Sequence, residues 1–205
     1  MLTNATVADV LRPSDKRLAG FYDVALIIGG SLLIALCAQV AIPLWPVPVT
    51  GQTFAVLMIG ALFGARRGSF AVLAYLTEGA AGLPVFAMGR AGFAVLSGPT
   101  GGYLVGFIAA ACIVGLLAEK GWDRRIGTTV LAMVLGNIAI YAFGLLWLCC
   151  LTGISRTVLT AGLYPFIIGD LLKIAIAAIL LPSGWKLLGY IGLPPKENKH
   201  RQQGG

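Results

Sequence analysis

The sequence predicts an all-α integral membrane protein with six transmembrane helices and both termini in the cytoplasm. Three observations predict it. Of the 205 residues, 58% are hydrophobic and only 11% charged, with mean hydropathy +0.90, whereas a water-soluble domain carries about 25% charged residues to face solvent. The apolar residues gather into six runs separated by proline, glycine or charge, at lengths near the roughly 20 residues that cross a bilayer. The basic residues lie overwhelmingly in alternate connections, which is the charge bias of cytoplasmic loops.

The first run, residues 24–42, follows a basic segment. It is longer than the apolar core of an ordinary signal peptide, so it is expected to remain as a helix behind a cytoplasmic segment at 1–23. Pro43, Pro46 and Pro48 then forbid regular helix. Irregular backbone at membrane depth survives only where protein or water covers it, so a lid or re-entrant loop is expected there. The second run, 51–64, is short, and Arg66 and Arg67 divide it from the third, 69–85. The fourth, 100–118, opens behind Pro99, which has no N–H to lose in a first helical turn. Lys120, Arg124 and Arg125 precede the fifth, 128–151, and a polar tail at 186–205 follows the sixth, 162–181. Without an internal repeat or linker, the chain reads as one six-helix unit over 1–205.

One side receives Arg12, Lys16, Arg17, Arg66, Arg67, Lys120, Arg124, Arg125, Lys186, Lys196, Lys199 and Arg201, and the other only Arg90 and Arg156. The net charge of +7 therefore records topology and not a nucleic-acid footprint, and membrane lipid is the expected surround. The loops at 43–50, 86–99 and 152–161 are placed outside. Cys37, Cys112, Cys149 and Cys150 all lie in apolar runs and read as small packing residues, and His200 is the one histidine, so neither a disulfide framework nor a zinc site is expected. No P-loop, GxSxG or HExxH motif occurs. With no nucleophile beside a base and no metal-ligand set, neither an enzyme nor a cofactor is expected, and a membrane-embedded enzyme is the weakest of the functional readings.

Ionisable groups inside a span are expensive and usually functional or paired. There are three: Glu78 in the third run, and Asp170 and Lys173 three residues apart on one face of the sixth. The pair is either a self-neutralising structural bridge or, with hydrogen-bonding capacity to spare, a contact for a polar ligand. Glu78 is a proton relay, a ligand contact or a side chain snorkelling to the outer interface. Arg90 sits in a glycine-rich passage leading to Ser97-Gly98-Pro99-Thr100-Gly101-Gly102, where small residues are expected to leave a helix N-terminus bare. An arginine beside such a terminus favours an anion, although Gly102 and Gly106 also suit close helix packing. All these groups converge on the outer half, which points to a ligand captured from outside with a carboxylate at one end.

The segments Ala38-Gln39-Val40-Ala41-Ile42-Pro43, Val47-Pro48-Val49-Thr50-Gly51-Gln52-Thr53, Gly82-Leu83-Pro84-Val85-Phe86-Ala87, Leu96-Ser97-Gly98-Pro99-Thr100-Gly101-Gly102-Tyr103-Leu104 and Gly169-Asp170-Leu171-Leu172-Lys173 resemble the BioY-type biotin-binding S components of energy-coupling factor transporters. The resemblance spans nearly all six runs. It implies a six-helix bundle in the bacterial plasma membrane that captures biotin from outside beneath its first loop, and partners in a transmembrane coupling protein and a pair of ATPases. Asp170 and Lys173 match the family's aspartate and lysine. Biotin's ureido ring, with two N–H donors and a carbonyl, suits an ionised carboxylate and an ammonium. Its carboxylate would meet Arg90 or the helix N-terminus around Gly98 and Thr100, and the reverse pose, with Lys173 on the carboxylate, is equally open. Phe86 and Glu78 are added to the implied site, Gln52 and Thr53 are expected to hydrogen-bond at its mouth, and Trp45 is either a lid over it or an interfacial anchor. Ala25, Gly29, Ala35 and Ala38 either form a docking face for the coupling protein or pack internally. The alternative function is a self-sufficient proton-coupled transporter cycling the protonation of Glu78 or Asp170.

Overall fold

In hydrocarbon a chain must satisfy its own backbone, and apolar runs do so as helices. The computed structural model of the chain describes residues 5–153, 158, 160 and 162–191. Its elements are α1 Val7–Leu11, α2 Lys16–Gln39, the two-residue strands β1 Ala41–Ile42 and β2 Val49–Thr50, α3 Gln52–Ala80, α4 Phe93–Ser97, α5 Gly101–Glu119, α6 Ile126–Thr152 and α7 Tyr164–Tyr190. Five of the helices are long and apolar enough to cross a membrane.

The second and third runs form the single element α3, and its course reverses at Gly64. Gly64 adopts φ +85°, ψ 173°, a conformation essentially closed to any residue with a Cβ. A Cβ built on Gly68 would lie 3.1 Å from the Cα of Gly60, and the Gln52 amide reaches the Tyr75 hydroxyl. Both pairs are centred within half a residue of Gly64, so 52–63 and 65–80 are antiparallel arms. The separating loop expected around Arg66 and Arg67 is therefore a one-residue turn, and both arginines are helical.

Two other ends differ from expectation. α2 begins eight residues before the expected start because Asp15 caps it, accepting from the N–H groups of Arg17 and Leu18 at 2.8 and 3.1 Å. The segment before it is no free tail: Arg67 bridges Asp9 and Asp23, each at 2.7 Å, and Arg12 also pairs with Asp23 at 2.7 Å. At the far end α7 continues past 181 through Pro182 to Tyr190. There Trp185 donates to the buried carboxylate of Asp123 and lies under Arg124, 4.4 Å from its ring centroid. Arg156 and everything from residue 192 on, including Lys196, Lys199, His200 and Arg201, lie outside the described residues.

The bundle closes by backbone contact at glycines. A Cβ at Gly60 would stand 2.7 Å from the Ala111 carbonyl oxygen, one at Gly115 would overlap the backbone of Ala65, and one at Gly106 would reach 3.0 Å from the Ala139-following Cα of Ile140. These contacts join both arms of α3 to α5, and α5 to α6. α2 rests mainly on α3 and turns most of its surface outward.

The turn at Gly64 gives a direct test. Gly64→Ala forces a Cβ into a conformation that disfavours it and to 2.8 Å from the Glu119 carboxylate. It should lower the melting temperature of the purified protein by an amount corresponding to about 1–3 kcal/mol. Gly127→Ala, with no atom within 4 Å of the new Cβ, should leave the melting temperature unchanged or slightly raised.

Candidate ligand site

An apolar-lined cavity lies where the N-termini of α3 and α5 approach the early turns of α7. Its atom-free space, counted together with the open solvent at its mouth, is about 520 Å³. Val47 and Pro48 from the proline loop, Phe86 and Ala87 from the turn after α3, and Phe107, Tyr103, Ile140, Tyr141 and Phe166 from the bundle provide its walls. Phe166 stacks on Tyr103 at 6.2 Å between centroids and meets Tyr141 edge-on at 6.3 Å, while Phe86 meets Tyr75 edge-on at 5.5 Å. Phe86 is seated by Gly79, where any Cβ would overlap its ring.

One wall is polar. The Lys173 ammonium spends its three N–H donors on the Thr50 carbonyl at 2.9 Å, the Thr53 hydroxyl at 2.8 Å and Asp170 at 3.1 Å. Asp170 Oδ1 also accepts from the Thr53 hydroxyl at 3.3 Å, and its Oδ2 accepts from the Tyr141 hydroxyl. The Asp170 side chain is 6% exposed and that of Lys173 17%. Thr50, Thr53 and Tyr141 line the cavity, and the charged pair stands one hydrogen bond behind them. Lys173 thus has no donor to spare in this state, while the carboxylate retains an unfilled lone pair.

Gln52, Thr53, Phe86, Arg90 and Thr100 line the cavity. Among the described residues no carboxylate pairs with Arg90, whose Nε–H donates to the Ala87 carbonyl at 3.2 Å. Gly98, Glu78 and Trp45 are not among the lining residues. The Gly98 carbonyl accepts from the Trp147 indole at 3.0 Å. Glu78 Oε1 accepts from the Ser31 hydroxyl at 2.8 Å in the contact between α2 and α3, and its buried Oε2 has no hydrogen-bond partner among the described residues. Trp45 is 85% exposed, and the loop reaches the cavity through Val47 instead. The α5 N-terminus is not bare either: Gly101 and Gly102 are buried because Leu96 and Trp147 occupy the space beside them.

Tyr75, Tyr103 and Tyr141 were not marked by the sequence as site residues, since an aromatic ring in an apolar run reads as core. Their hydroxyls were the available signal, because a buried tyrosine must find a hydrogen-bond partner.

The BioY family model matches residues 12–190. The chain belongs to the BioY family. A biotin transporter BioY of Rhizobium etli is 36% identical over 170 residues, covering 80% of this chain and 90% of that protein. A biotin transporter BioY of Thermotoga maritima is 39% identical over 162 residues, covering 79% and 90%. The crystal structure of the S-component for biotin from an ECF-type ABC transporter superposes with a TM-score of 0.72 at 24% identity, covering 84% of this chain and 95% of that one, which establishes a shared fold. This BioY member is accordingly a multi-pass membrane protein, mostly helical, with two short strands among the described residues.

The polar wall predicts non-additivity in this BioY chain. Removing either charge strands the other in a largely apolar setting. Asp170→Ala and Lys173→Ala should each lower the melting temperature markedly, and the double variant should lose less than the sum of the two, as a thermal double-mutant cycle reads directly.

Proposed function

We propose that this chain captures biotin from outside the cell as the substrate-binding S component of an ECF-type transporter in a bacterial plasma membrane. It is a binding and translocation module, not an enzyme. The observation that carries the reading is the cavity's division of labour. Aromatic and aliphatic walls face the interior, the Asp170–Lys173 network with Thr53 and Tyr141 makes one polar region, and the cation of Arg90, which pairs with no carboxylate among the described residues, lies in the same lining. Biotin has the complementary parts: a ureido group with two donors and a carbonyl, an apolar thiophane ring and chain, and a terminal carboxylate.

In this pose Asp170 accepts from a ureido N–H, and Tyr141 or Lys173 exchanges its present partner for the ureido carbonyl. Arg90 and the Thr100 hydroxyl hold the carboxylate, with Gln52 hydrogen-bonding near the mouth. Val47 and Pro48 close over the apolar part. Trp45 stays outward as an interfacial anchor, and Glu78 serves the contact between α2 and α3. The pose needs only charge-assisted bonds and apolar burial, both of which strengthen as water leaves.

The chain is read as crossing the membrane six times, counting each arm of α3, with both termini cytoplasmic. The 12-to-2 partition of basic residues between the two sides supports this orientation. A coupling protein and a pair of ATPases supply the energy, consistent with a sequence that has no P-loop. On the outward surface of α2, Ala25 and Gly29 are exposed and suit a close-fitting coupling helix, whereas Ala38 is buried against this chain.

Purified protein should bind biotin without partners, and Arg90→Ala and Asp170→Ala should each weaken binding by more than tenfold, measured by calorimetry. In vesicles, uptake should rise on adding the coupling protein, the ATPases and ATP. Uptake driven by a pH gradient alone would favour the self-sufficient proton-coupled transporter. For topology, a reporter active only in the cytoplasm should work after Arg67 or Arg125 and be silent near Arg90. The opposite pattern would invert the orientation.

A further inference from the structure

The outer end of α2 carries an amide that the binding pose does not use. Gln39 Nε2 donates to the Ala35 carbonyl of its own helix at 3.1 Å and to the Phe86 carbonyl at 3.3 Å, and its Oε1 accepts from the Gly89 N–H at 3.0 Å. The last two bonds straddle Met88, which holds φ +62°, ψ 32° and is the one non-glycine residue with positive φ among the described residues. A bulky side chain in that conformation is strained and persists only where its surroundings hold it.

Most of what holds this turn comes from the turn itself: Phe86 N–H donates to the Arg90 carbonyl at 3.0 Å, and Arg90 N–H to the Ala87 carbonyl at 3.4 Å. Among the described residues, Gln39 is the side chain from another element that hydrogen-bonds it. The turn presents Phe86, Ala87 and Arg90 to the cavity. One residue beyond Gln39, the Val40 carbonyl accepts from Gly51 N–H at 2.9 Å, closing the base of the loop that presents Val47 and Pro48. Gln39 therefore stands between the two loop-built walls of the cavity mouth and ties one of them to α2.

We propose that Gln39 is a positioning residue: it clips the 86–90 turn to the end of α2, holding Phe86 and Arg90 in place, and so slows the escape of bound ligand without touching it. This rests on the biotin reading above. The strain at Met88 gives the clip its consequence, because a turn freed of both bonds relaxes away from the shape that faces the ligand.

The test uses the full chain in lipid nanodiscs, with radiolabelled biotin chased by excess unlabelled biotin. Gln39→Ala should speed release about tenfold and leave capture within about twofold, the effect of two lost hydrogen bonds. Gln39→Glu keeps an acceptor for Gly89 N–H but loses the donor to Phe86, so its release should be intermediate. Hydrogen exchange at the Gly89 amide, without biotin, should accelerate in Gln39→Ala and stay near wild type in Gln39→Glu. Wild-type release in Gln39→Ala, when wild-type protein binds biotin, would overturn the clip and leave the function standing. So would slowed capture matching the faster release in both variants, which marks general unfolding. Should Gln39→Ala fail to fold, wild-type release in Gln39→Glu overturns the clip. Absence of binding by the wild-type protein overturns the function itself and this inference with it.

Discussion

A carboxylate and an ammonium withdrawn from water must recover their hydrogen bonds inside the protein, and the cavity end of this fold is organised around how Asp170 and Lys173 do so. Their partners come from three other places in the chain. Thr50 ends the strand that closes the proline loop, Thr53 opens α3, and Tyr141 belongs to α6. The pair thereby pins α7 to the start of α3 and to α6, at the position where the bundle is hollow. A structural bridge and a ligand contact are not exclusive readings here. The network is closed in the free state, yet its outermost members face the cavity, so a ligand that competes for Asp170 or Lys173 also acts on the Thr50 carbonyl and the loop behind it.

The fold class was legible because lipid imposes a simple rule: long apolar runs become helices. Asp170 and Lys173 were legible because charge is rare in such runs. What composition hides is which neighbour fills a gap. The glycines around Gly101 advertised open space at a helix start, but Leu96 and Trp147, distant in sequence or in role, close it. Glu78 and Trp45 were placed by depth and residue type, and the structure turns one toward Ser31 and the other outward. Tyr141 escaped notice for the converse reason, since an aromatic ring is unremarkable in an apolar helix until its hydroxyl is seen against a carboxylate. The turn at Gly64 was bracketed by the charge of Arg66 and Arg67, although only backbone dihedrals show it to be a single residue.

α2 is the least embedded of the long helices, and its hold on α3 is correspondingly polar. Asp23 meets Arg67 near one end, Ser31 meets Glu78 midway, and Gln39 reaches the 86–90 turn at the other end. Between these points the contact is made by small or apolar surfaces such as Gly30 against Ala71 and Phe63. In lipid, apolar side chains gain little by choosing one another over acyl chains, so directional bonds set the register of such a helix. Each of the three can be broken singly without opening the core formed by α3, α5 and α6.

The brevity of the first arm of α3 explains why there is a chamber at all. Residues 52–63 rise about 18 Å, against a hydrocarbon layer about 30 Å thick. A lipid-facing helix this short would be penalised, but this one is central, with Ala55, Val56, Leu57, Ile59, Gly60 and Ala61 buried by its neighbours. The cavity opens at the Gln52 end of this arm, lined by Gln52 and Thr53, by Val47 and Pro48 of the proline loop, and by side chains of α5, α6 and α7. The cavity thus begins where this short arm stops. One further turn would carry Gln52 about 5.4 Å toward the cavity and fill much of it, so the length of this arm is a coarse adjustment of the room enclosed by the surrounding helices.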